Sequence, residues 1–373
     1  MIETLRFAHA VSAALRRRRA WRGKQRENMF EKIVVVTRKT RLEELVARFN
    51  TREQARFYIE HAGSDFSVYQ TEHDTYQRAV ATVLGKIGAL GRVQLIERAF
   101  LPNFIFTDKD LVITIGQDGL VVNAAKYLNG QPIIAINPDP AHIDGILLPY
   151  RVQDALTVVS EAMQERMAVR HITMAEASLN DGQRMLAFND LFIGVRTHTS
   201  ARYQITFGDR SEPQSSSGII VSTGAGSTGW LSSMFNMAAG VARLIEGEVH
   251  SPKPFRLDWE DEQLVFVVRE PFVSKTSRAG IVAGLITPET ELSLESRTPE
   301  NGAIFSDGVE ADYVTFNSGA IAHVRVAHKK TNLVVPLQVA ARRPEQRTLA
   351  NRSSDRSPAA RRGTPPSARP DKA

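Results

Sequence analysis

The chain has 373 residues, of which 42% are hydrophobic and none is cysteine. This length is enough for two globular domains, while the lack of cysteine excludes disulfides, cysteine nucleophiles and thiolate metal sites. The net charge of +6 comes from the two ends: residues 1–28 hold eight Arg or Lys against two Glu, and residues 341–373 hold nine Arg or Lys against three acids. Residues 29–340 therefore carry a net charge of −6, so the basic overall charge gives no support for a nucleic-acid groove.

We assign neither end of the chain to the predicted fold. Residues 1–28 contain four consecutive arginines, Arg16 to Arg19, after an alanine-rich stretch. Three interpretations stay open: a transit-like presequence, a basic arm, or an extension upstream of a start at Met29. We expect a cytoplasmic protein, or one of the mitochondrial matrix if this segment is a transit peptide. Residues 341–373 consist mainly of Arg, Pro, Ser and Ala without periodicity and are predicted to be disordered.

Strands and helices alternate in the first part of the chain. The segment 32–37 reads KIVVVT, which is typical of a buried strand. Helical spacing of apolar residues predicts helices over 41–62 and 71–90, and short apolar runs predict strands over 93–96, 111–115 and 132–136. This alternation predicts an α/β domain with a mainly parallel sheet over residues 29–141.

The pattern becomes β-rich after about residue 142. Helices are predicted over 154–169 and 227–240 only. Short segments that follow or precede turn signals such as Asn180-Asp181-Gly182 indicate strands, namely 171–177, 184–188, 191–195, 203–207, 218–221, 264–268, 280–286, 291–296, 321–326 and 333–337. We therefore predict a β-rich domain over 142–340. No run of 18 apolar residues is present, so no membrane-spanning helix is predicted.

A tight turn at 116–119 (GQDG) joins the strand 111–115 to a short predicted helix over 120–128. A strand, a glycine turn and a helix N-terminus together present backbone N–H groups to an anion, typically phosphate. The carboxylate of Asp118 would repel a phosphate unless it holds a metal or accepts a proton from an attacking hydroxyl. The alternative is a surface turn that merely tolerates an aspartate.

A second glycine-rich stretch, 222–230 (STGAGSTGW), lies between a predicted strand and a predicted helix. Three glycines and four hydroxyls at a helix start can approach a phosphate closely. The stretch also contains a G-x-G-x-x-G pattern at Gly224, Gly226 and Gly229, which would suggest a Rossmann oxidoreductase. Its position in a β-rich region, midway along the chain, argues against that fingerprint. No lysine follows the glycines, so the stretch is not a P-loop.

Two dipeptides that each contain an aspartate complete the candidate motifs. Asn189-Asp190 lies between two predicted strands, and Asp307-Gly308 lies in a predicted hairpin turn. Each pair taken alone is typical of an ordinary turn. The histidines show no metal-ligand spacing, and no G-x-S-x-G elbow supports a serine hydrolase.

Taken in order, these four motifs resemble those of the NAD kinases, within the superfamily that includes diacylglycerol and sphingosine kinases. The resemblance covers roughly residues 30–338: the GQDG turn is similar to that family's GGDG, Asn189-Asp190 to its Asn-Glu pair, 222–230 to its STPTGSTAY, and 306–308 to its terminal Asp-Gly turn. The stretch 216–230 resembles the mitochondrial-type branch more closely than the common bacterial one. The resemblance implies an N-terminal α/β domain and a C-terminal β-rich domain, with the nucleotide cleft between them.

The resemblance also implies a reaction and its residues. Asp118 would take the proton from the adenosine ribose 2′-hydroxyl of NAD as that hydroxyl attacks the γ-phosphate of ATP, with Mg²⁺ held through the ATP phosphates and by no direct protein ligand. The residues implied in ATP binding are Gly116, Gln117, Gly119, Ser222, Thr223, Gly224, Gly226 and Ser227. Those implied in NAD binding are Asn189, Asp190, Ser217, Thr228, Trp230, Ser233 and Asp307. Family analogy adds a homo-oligomer, and we predict no specific nucleic-acid or membrane partner.

Several positions depart from the family's pattern, although Asp118 is retained. The departures are Gln117 for Gly, Leu120 for Thr, Asp190 for Glu, Gly224 for Pro, Gly229-Trp230 for Ala-Tyr, and Ser217 where the common branch has an acid. They leave two alternatives open: a superfamily kinase that acts on another hydroxyl, of a lipid or small metabolite, and a non-catalytic nucleotide sensor. The phosphoryl donor is also open, because ATP and polyphosphate both need a phosphate-binding turn.

Overall fold

The structure is a computed structural model, which describes residues 29–246 and 256–337. The predictions made for residues 1–28 and 341–373 lie outside the described residues. The described part contains an 11-stranded sheet, here called the first sheet, and a 6-stranded sheet, here called the second sheet. The predicted fold class is confirmed: the N-terminal part is α/β with parallel strands, and the C-terminal part is β-rich.

Four parallel strands form the N-terminal part of the first sheet, in the order β2-β1-β3-β4. They are β1 (Lys32–Thr37), β2 (Arg92–Glu97), β3 (Asp110–Ile115) and β4 (Pro132–Asn137). Strands β3 and β4 are buried at every position, because helices cover parallel strands on both faces. The carboxyl ends of these strands meet at one edge of the sheet, which is where α/β proteins commonly bind ligands.

Five α-helices accompany these four strands. They are α1 (Arg41–Phe49), α2 (Arg52–His61), α3 (Phe66–Ile87), α4 (Asp118–Tyr127) and α5 (Ala155–Met163). Buried residues of α3 and α5 share a core with one face of the strands, and those of α4 share a core with the other, since successive strand residues point to opposite faces. No helix within the two described ranges is long and apolar enough to cross a membrane.

Two of the predicted N-terminal helices have different bounds. The predicted helix 41–62 is two helices, because Asn50 adopts a φ of 68° and Thr51 caps the next helix by accepting a hydrogen bond from a backbone N–H. The predicted helix 71–90 begins earlier and is capped by Asp65. The sequence contains these capping residues, but the predicted helix bounds were based on apolar spacing alone and were therefore wrong.

The remaining strands extend the first sheet and build the second. The first sheet gains β5 (Tyr150–Arg151), β6 (Ala168–Leu179), β7 (Arg184–Ala187), β9 (Ala201–Phe207), β10 (Arg210–Ser216), β14 (Leu292–Ser296) and β17 (Ile321–Val335). The second sheet contains β8 (Asp190–Val195), β11 (Ile219–Ser222), β12 (Leu264–Val268), β13 (Ala283–Ile286), β15 (Gly302–Ser306) and β16 (Tyr313–Thr315). It is antiparallel, in the order β13-β12-β11-β8-β15-β16. Helix α6 (Trp230–Glu246) follows β11.

Three corrections concern this C-terminal part. The predicted helix 154–169 was too long, because Glu165 adopts a φ of 60° and the chain enters β6 at Ala168. The predicted strands 321–326 and 333–337 are one strand, β17, whose pairing register shifts after Val326. Strands β10, β15 and β16 were missed; β10 is polar and contains Pro213, which an edge strand tolerates.

Strand β17 connects the two predicted domains. It pairs in parallel with β4, with Asn332 opposite Pro132 and Leu333 opposite Ile133, and in antiparallel fashion with β6 and β14. One continuous sheet therefore runs through both predicted domains, and the boundary near residue 142 stays a prediction. This pairing fixes where the loops of the two parts meet.

Candidate functional site

The GQDG turn joins the end of β3 to the start of α4. Gly116 is buried, and a Cβ at this position would lie 2.8 Å from Cδ2 of Leu120, so close packing of the first helical turn requires a glycine. Helix α4 begins at Asp118, and its N-cap Gln117 makes no side-chain capping hydrogen bond. Gly119 is exposed, with no atom within 4 Å of a Cβ built on it. The N-terminus of α4 is therefore open for a ligand to approach its N–H groups.

The carboxylate of Asp118 is held from one side. Its Oδ1 accepts a hydrogen bond of 2.6 Å from the backbone N–H of Leu147, in the loop 138–149 that follows β4. Its Oδ2 has no hydrogen-bond partner among the described residues. One oxygen thus orients the group, while the other can accept a proton from a bound hydroxyl.

Asn189, Asp190 and Asp307 form one hydrogen-bonded unit. Oδ1 of Asp307 accepts hydrogen bonds from the backbone N–H groups of Asn189 at 2.7 Å and Asp190 at 3.4 Å, and Oδ2 accepts one from Phe188 at 3.2 Å. The backbone N–H of Asp307 returns a bond of 2.9 Å to the carbonyl of Asp190. Asp307 adopts a φ of 55° in the turn after β15. Its carboxylate holds the Asn-Asp pair in place, and a contact between Asp307 and a dinucleotide stays a prediction.

Two buried carboxylates thus lie close together. Burial and the negative charge of Asp307 raise the pKa of Asp190 to about 7. Burial also raises the pKa of Asp307, although the backbone N–H donors and the ammonium group of Lys126 act against it. Lys126 lies near the end of α4, where its buried Nζ donates to Oγ of Ser306 at 2.8 Å and lies 3.5 Å from a carboxylate oxygen of Asp312.

The glycine-hydroxyl loop, residues 222–229, packs against the same unit. The backbone N–H of Thr223 donates to the carbonyl of Asn189 at 2.9 Å, and its Oγ1 donates to the carbonyl of Phe188 at 2.6 Å. The hydroxyl of Ser227 donates to the carbonyl of Gly224 at 2.7 Å. Ser222, Thr223 and Ser227 are all buried. These hydroxyls therefore hold the loop, and their predicted contact with ATP phosphates stays a prediction.

The glycines of this loop allow close approach of protein backbone. A Cβ on Gly226 would lie 2.1 Å from the carbonyl oxygen of Asn189, and one on Gly224 would lie 1.9 Å from that of Asp258. Such distances exclude any side chain at either position. Packing inside the protein thus explains the first two glycines of the G-x-G-x-x-G pattern, which agrees with the rejection of a Rossmann fingerprint.

The remaining predicted NAD-binding residues lie at the start of α6 and at the edge of β11. Thr228 and Ser233 are exposed, and Trp230 is half-buried. The Trp230 ring stacks on Phe192 at 5.8 Å between centroids, and the guanidinium of Arg269 lies 5.4 Å from the Trp230 ring. The hydroxyl of Ser217 donates to the carboxylate of Glu270.

The structure joins the predicted residues in two groups. Asn189, Asp190, Asp307 and the glycine-hydroxyl loop are linked by hydrogen bonds, whereas Asp118 is connected to them through α4. Asp118 and Lys126 are eight residues apart on this helix, which is about 12 Å along its axis. Four further residues were not predicted from the sequence, because each reaches the site from a segment without a motif: Lys126, Leu147, Arg269 and Glu270.

A first prediction concerns the pH dependence of stability. An acid whose pKa is raised on folding stabilises the fold fully below its unfolded pKa of about 4, and this contribution is lost as the pH rises toward the folded value. For Asp190, with a pKa of about 7, we expect the free energy of unfolding of Asp190→Asn, relative to wild type, to rise between about pH 5 and pH 8. Urea denaturation at both pH values measures this difference.

The control for this prediction is Asp181→Asn, in the exposed turn after β6, where hydrogen bonds from Gln183 lower the pKa of the aspartate. Asp181 is ionised in folded and unfolded chains above about pH 5. Its difference from wild type should therefore stay constant over the same range. An equally constant difference for Asp190→Asn would contradict the raised pKa.

A second prediction concerns Gly226→Ala. The added methyl group must displace the carbonyl of Asn189, so we expect a loss of about 1–3 kcal/mol in the free energy of unfolding, as for overpacking in a core. Gly85→Ala, on α3, is the control, because no atom lies within 4 Å of a Cβ there. It should leave stability unchanged or raise it slightly. Equal effects of both variants in thermal or urea denaturation would refute the close contact.

Comparisons with known proteins agree on one family. No protein-family model matches the chain. The chain is 23% identical to NAD kinase 2, mitochondrial, of Homo sapiens, over 79% of this chain and 81% of the relative. It is 24% identical to NAD kinase 2, mitochondrial, of Rattus norvegicus, over 74% of this chain and 75% of the relative.

Solved structures also resemble the chain. Yeast NADH kinase complexed with NADH aligns with a TM-score of 0.47 and 14% identity, over 87% of this chain and 89% of that one. An NAD kinase from Archaeoglobus fulgidus in complex with ATP aligns with a TM-score of 0.46 and 17% identity, over 81% and 92%. The likeness in sequence extends over about three quarters or more of each curated relative. The chain is therefore similar in sequence to NAD kinases over most of its length.

Proposed function

We propose that the chain transfers the γ-phosphoryl group of ATP to the adenosine ribose 2′-hydroxyl of NAD, which gives NADP. The observation that carries the proposal is the geometry of Asp118 at the N-terminus of α4. Leu147 holds one oxygen of its carboxylate, the other oxygen has no hydrogen-bond partner among the described residues, and no side chain caps the helix start. A base next to a phosphate-binding turn is the arrangement that attack by a hydroxyl on a phosphate requires.

The proposed reaction needs one proton acceptor. Asp118 takes the proton of the 2′-hydroxyl while the ribose oxygen forms its bond to the γ-phosphorus and the bond to the β–γ bridging oxygen of ATP breaks. The first N–H groups of α4 and the exposed Gly119 stabilise the transferred group. The protein needs no covalent role, since phosphoryl transfer depends mainly on the position of the reacting groups and on neutralisation of their charge.

The acceptor site in this proposal is the unit around Asn189 and Asp190. Asp307 fixes their backbone, so their side chains can bind polar groups of the dinucleotide in one orientation. Trp230, stacked on Phe192, offers an aromatic surface beside them. The carboxylate of Glu270, bound to Ser217, supplies an acid near the position where Ser217 replaces one.

The proposed reaction includes Mg²⁺ that is bound by the phosphates of ATP. Within residues 29–246 and 256–337 no three His, Asp or Glu side chains are grouped to hold a metal ion. A phosphate-bound Mg²⁺ would neutralise charge as the γ-phosphoryl group transfers.

Assembly and localisation remain proposals too. We infer a homo-oligomer by family analogy alone. The two curated relatives are named as mitochondrial, which favours the alternative location over the cytoplasm.

A third prediction tests the role of Asp118. Purified protein with Mg-ATP and NAD should produce NADP, measured with an NADP-specific dehydrogenase. Asp118→Asn removes the base while it keeps the size of the side chain, so kcat should fall roughly 100-fold or more. Asp108→Asn is the matched control, because Asp108 is exposed in the turn before β3, at the opposite end of that strand.

Two results would count against this proposal. The absence of NADP above background in the wild-type reaction would reject NAD as the acceptor. A kcat for Asp118→Asn close to that of Asp108→Asn would show that Asp118 is not the base.

A further inference from the structure

A turn at 258–262 (DWEDE), here called the 258–262 turn, packs against the glycine-hydroxyl loop. A Cβ on Gly224 would lie 1.9 Å from the carbonyl oxygen of Asp258. Leu257, the residue before the turn, shares a small core with Leu231, the second residue of α6. This segment therefore contacts the loop near its start and the helix just after its end.

Hydrogen bonds within the 258–262 turn fix its shape. Oδ2 of Asp261 accepts a bond of 2.8 Å from the backbone N–H of Asp258, and Oδ1 of Asp258 accepts one of 3.1 Å from the N–H of Glu260. The N–H of Asp261 also donates to the carbonyl of Asp258 at 3.2 Å. Aspartates that bond neighbouring N–H groups in this way stabilise one turn conformation. The carbonyl that faces Gly224 is thus held in place.

The same turn covers part of one edge of β6. The backbone N–H of Thr173 donates to the carbonyl of Trp259 at 2.8 Å, and that of His171 donates to the carboxylate of Glu260 at 3.2 Å. Strand β7 pairs with β6 over 175–178, so the turn takes the edge that precedes this pairing. The glycine-hydroxyl loop follows β11 of the second sheet. The turn therefore lies between a loop of the second sheet and a strand of the first.

Arg170 of β6 holds the turn by two interactions. Its Nη2 donates to Oδ1 of Asp258 at 2.9 Å, and its guanidinium carbon lies 4.7 Å from the centre of the Trp259 ring. The side chains of Arg170 and Asp258 are 22% and 34% exposed, so the ion pair is only partly open to solvent. A planar guanidinium can pair with a carboxylate and stack on a ring at the same time, whereas an ammonium group cannot stack in this way.

Trp259 connects the turn to the core beneath the candidate base. Together with Ala225 of the glycine-hydroxyl loop, it packs against the core that contains Leu120 and Val121 of α4. Helix α4 begins at Asp118. The loop, the turn and the helix that carries the base therefore share one core, and close packing transmits a displacement of any of them to the others.

Gly224 is one of the positions at which the chain departs from the NAD kinase pattern, which has a proline there. The carbonyl of Asp258 fills the space that a side chain at Gly224 would need. The close approach of the turn thus gives this departure a physical reason. Because no gap separates the turn from the loop, the turn cannot move toward the loop without displacing it.

We propose that Arg170 is a positioning residue, which acts through Asp258 and Trp259 to hold the glycine-hydroxyl loop at a fixed position relative to Asp118. The inference rests on the proposed phosphoryl transfer and adds to it a residue that acts through the loop. Phosphoryl transfer depends on the placement of the groups around the reacting atoms, so a displaced loop should slow the chemical step. A partly exposed ion pair contributes little to stability, so the effects on rate and on stability should separate.

A fourth prediction tests this role with Arg170→Ala. The kcat for NADP formation should fall roughly tenfold, because small misplacements near the reacting groups are costly, while the KM for NAD should stay within about threefold. The melting temperature should fall by no more than about 4 °C. Arg170→Lys keeps the charge and should recover part of the lost kcat.

The control for this prediction is Arg92→Ala, which removes an exposed arginine at the start of β2. It should leave kcat, KM and the melting temperature close to those of wild type. A kcat for Arg170→Ala within about twofold of that for Arg92→Ala would overturn the proposal.

Asp258→Asn tests the same contact from the side of the turn. Asparagine has the size of aspartate and keeps an oxygen that can accept from the N–H of Glu260, but it removes the negative charge that faces Arg170. This isosteric variant keeps the test available if Arg170→Ala does not fold. Its kcat should fall by about threefold or more, because a charge-assisted hydrogen bond becomes a neutral one. An unchanged kcat would contradict the role of the ion pair.

The position of the loop also has a readout that needs no activity. The chain contains three tryptophans, Trp21, Trp230 and Trp259, and Trp230 directly follows the glycine-hydroxyl loop. In full-length protein labelled with 5-fluorotryptophan, the ¹⁹F signal of Trp230 can be assigned with Trp230→Phe. This signal should shift in Arg170→Ala and stay unchanged in Arg92→Ala.

The two readouts separate this inference from the proposed NAD kinase activity. If wild type forms no NADP but the Trp230 signal shifts in Arg170→Ala, the proposed function fails and Arg170 still holds the loop. If NADP forms and the signal stays unchanged, the positioning role fails and the proposed function stands. A shifted signal with the kcat of wild type would also overturn the positioning role, since the loop would move without effect on the reaction.

Discussion

The carboxylate of Asp307 accepts hydrogen bonds from three consecutive backbone N–H groups, and the acceptor unit depends on this interaction. These donors, on residues 188–190, precede and begin β8. Without the carboxylate they would be left unpaired in a buried site, which is costly. The carbonyl of Asn189 in turn accepts from Thr223 and packs against Gly226. A single side chain thus sets the position of two segments that are far from it in sequence.

Helix α4 extends this arrangement to the candidate base. Its first residue is Asp118, and near its last turn Lys126 donates to Ser306, beside Asp307. Between them its buried face packs in a core that also contains residues of β1, β3, β4 and β17. Because β17 pairs directly with β4, that core belongs to one continuous sheet. The distance between the base and the acceptor unit is therefore fixed by a rigid helix on a shared sheet.

The parts of the site that the sequence could predict are those formed by local chemistry. The strand, turn and helix around Asp118 follow from apolar runs and glycines within a short stretch. The bond between Asp307 and Asn189 spans 118 residues, and no periodicity indicates which two turns will meet. The helix predicted over 154–169 was too long for a related reason. Its spacing continues past Met163, but the positive φ of Glu165 and the pairing of β6 with β17 end it.

The departures from the NAD kinase pattern lie at different places around the candidate site. Leu120 replaces a threonine and is buried in the core under α4, so it strengthens the helix that carries the base. Ser217 replaces an acid, yet it binds the carboxylate of Glu270, so a negative charge remains at that edge of the acceptor unit. Gln117 has no such compensation, because its exposed side chain makes no hydrogen bond within the described part of the chain. In the proposed reaction Gln117 would act on the phosphoryl donor at the turn 116–119, while the retained Asp118 would take the proton from the acceptor hydroxyl.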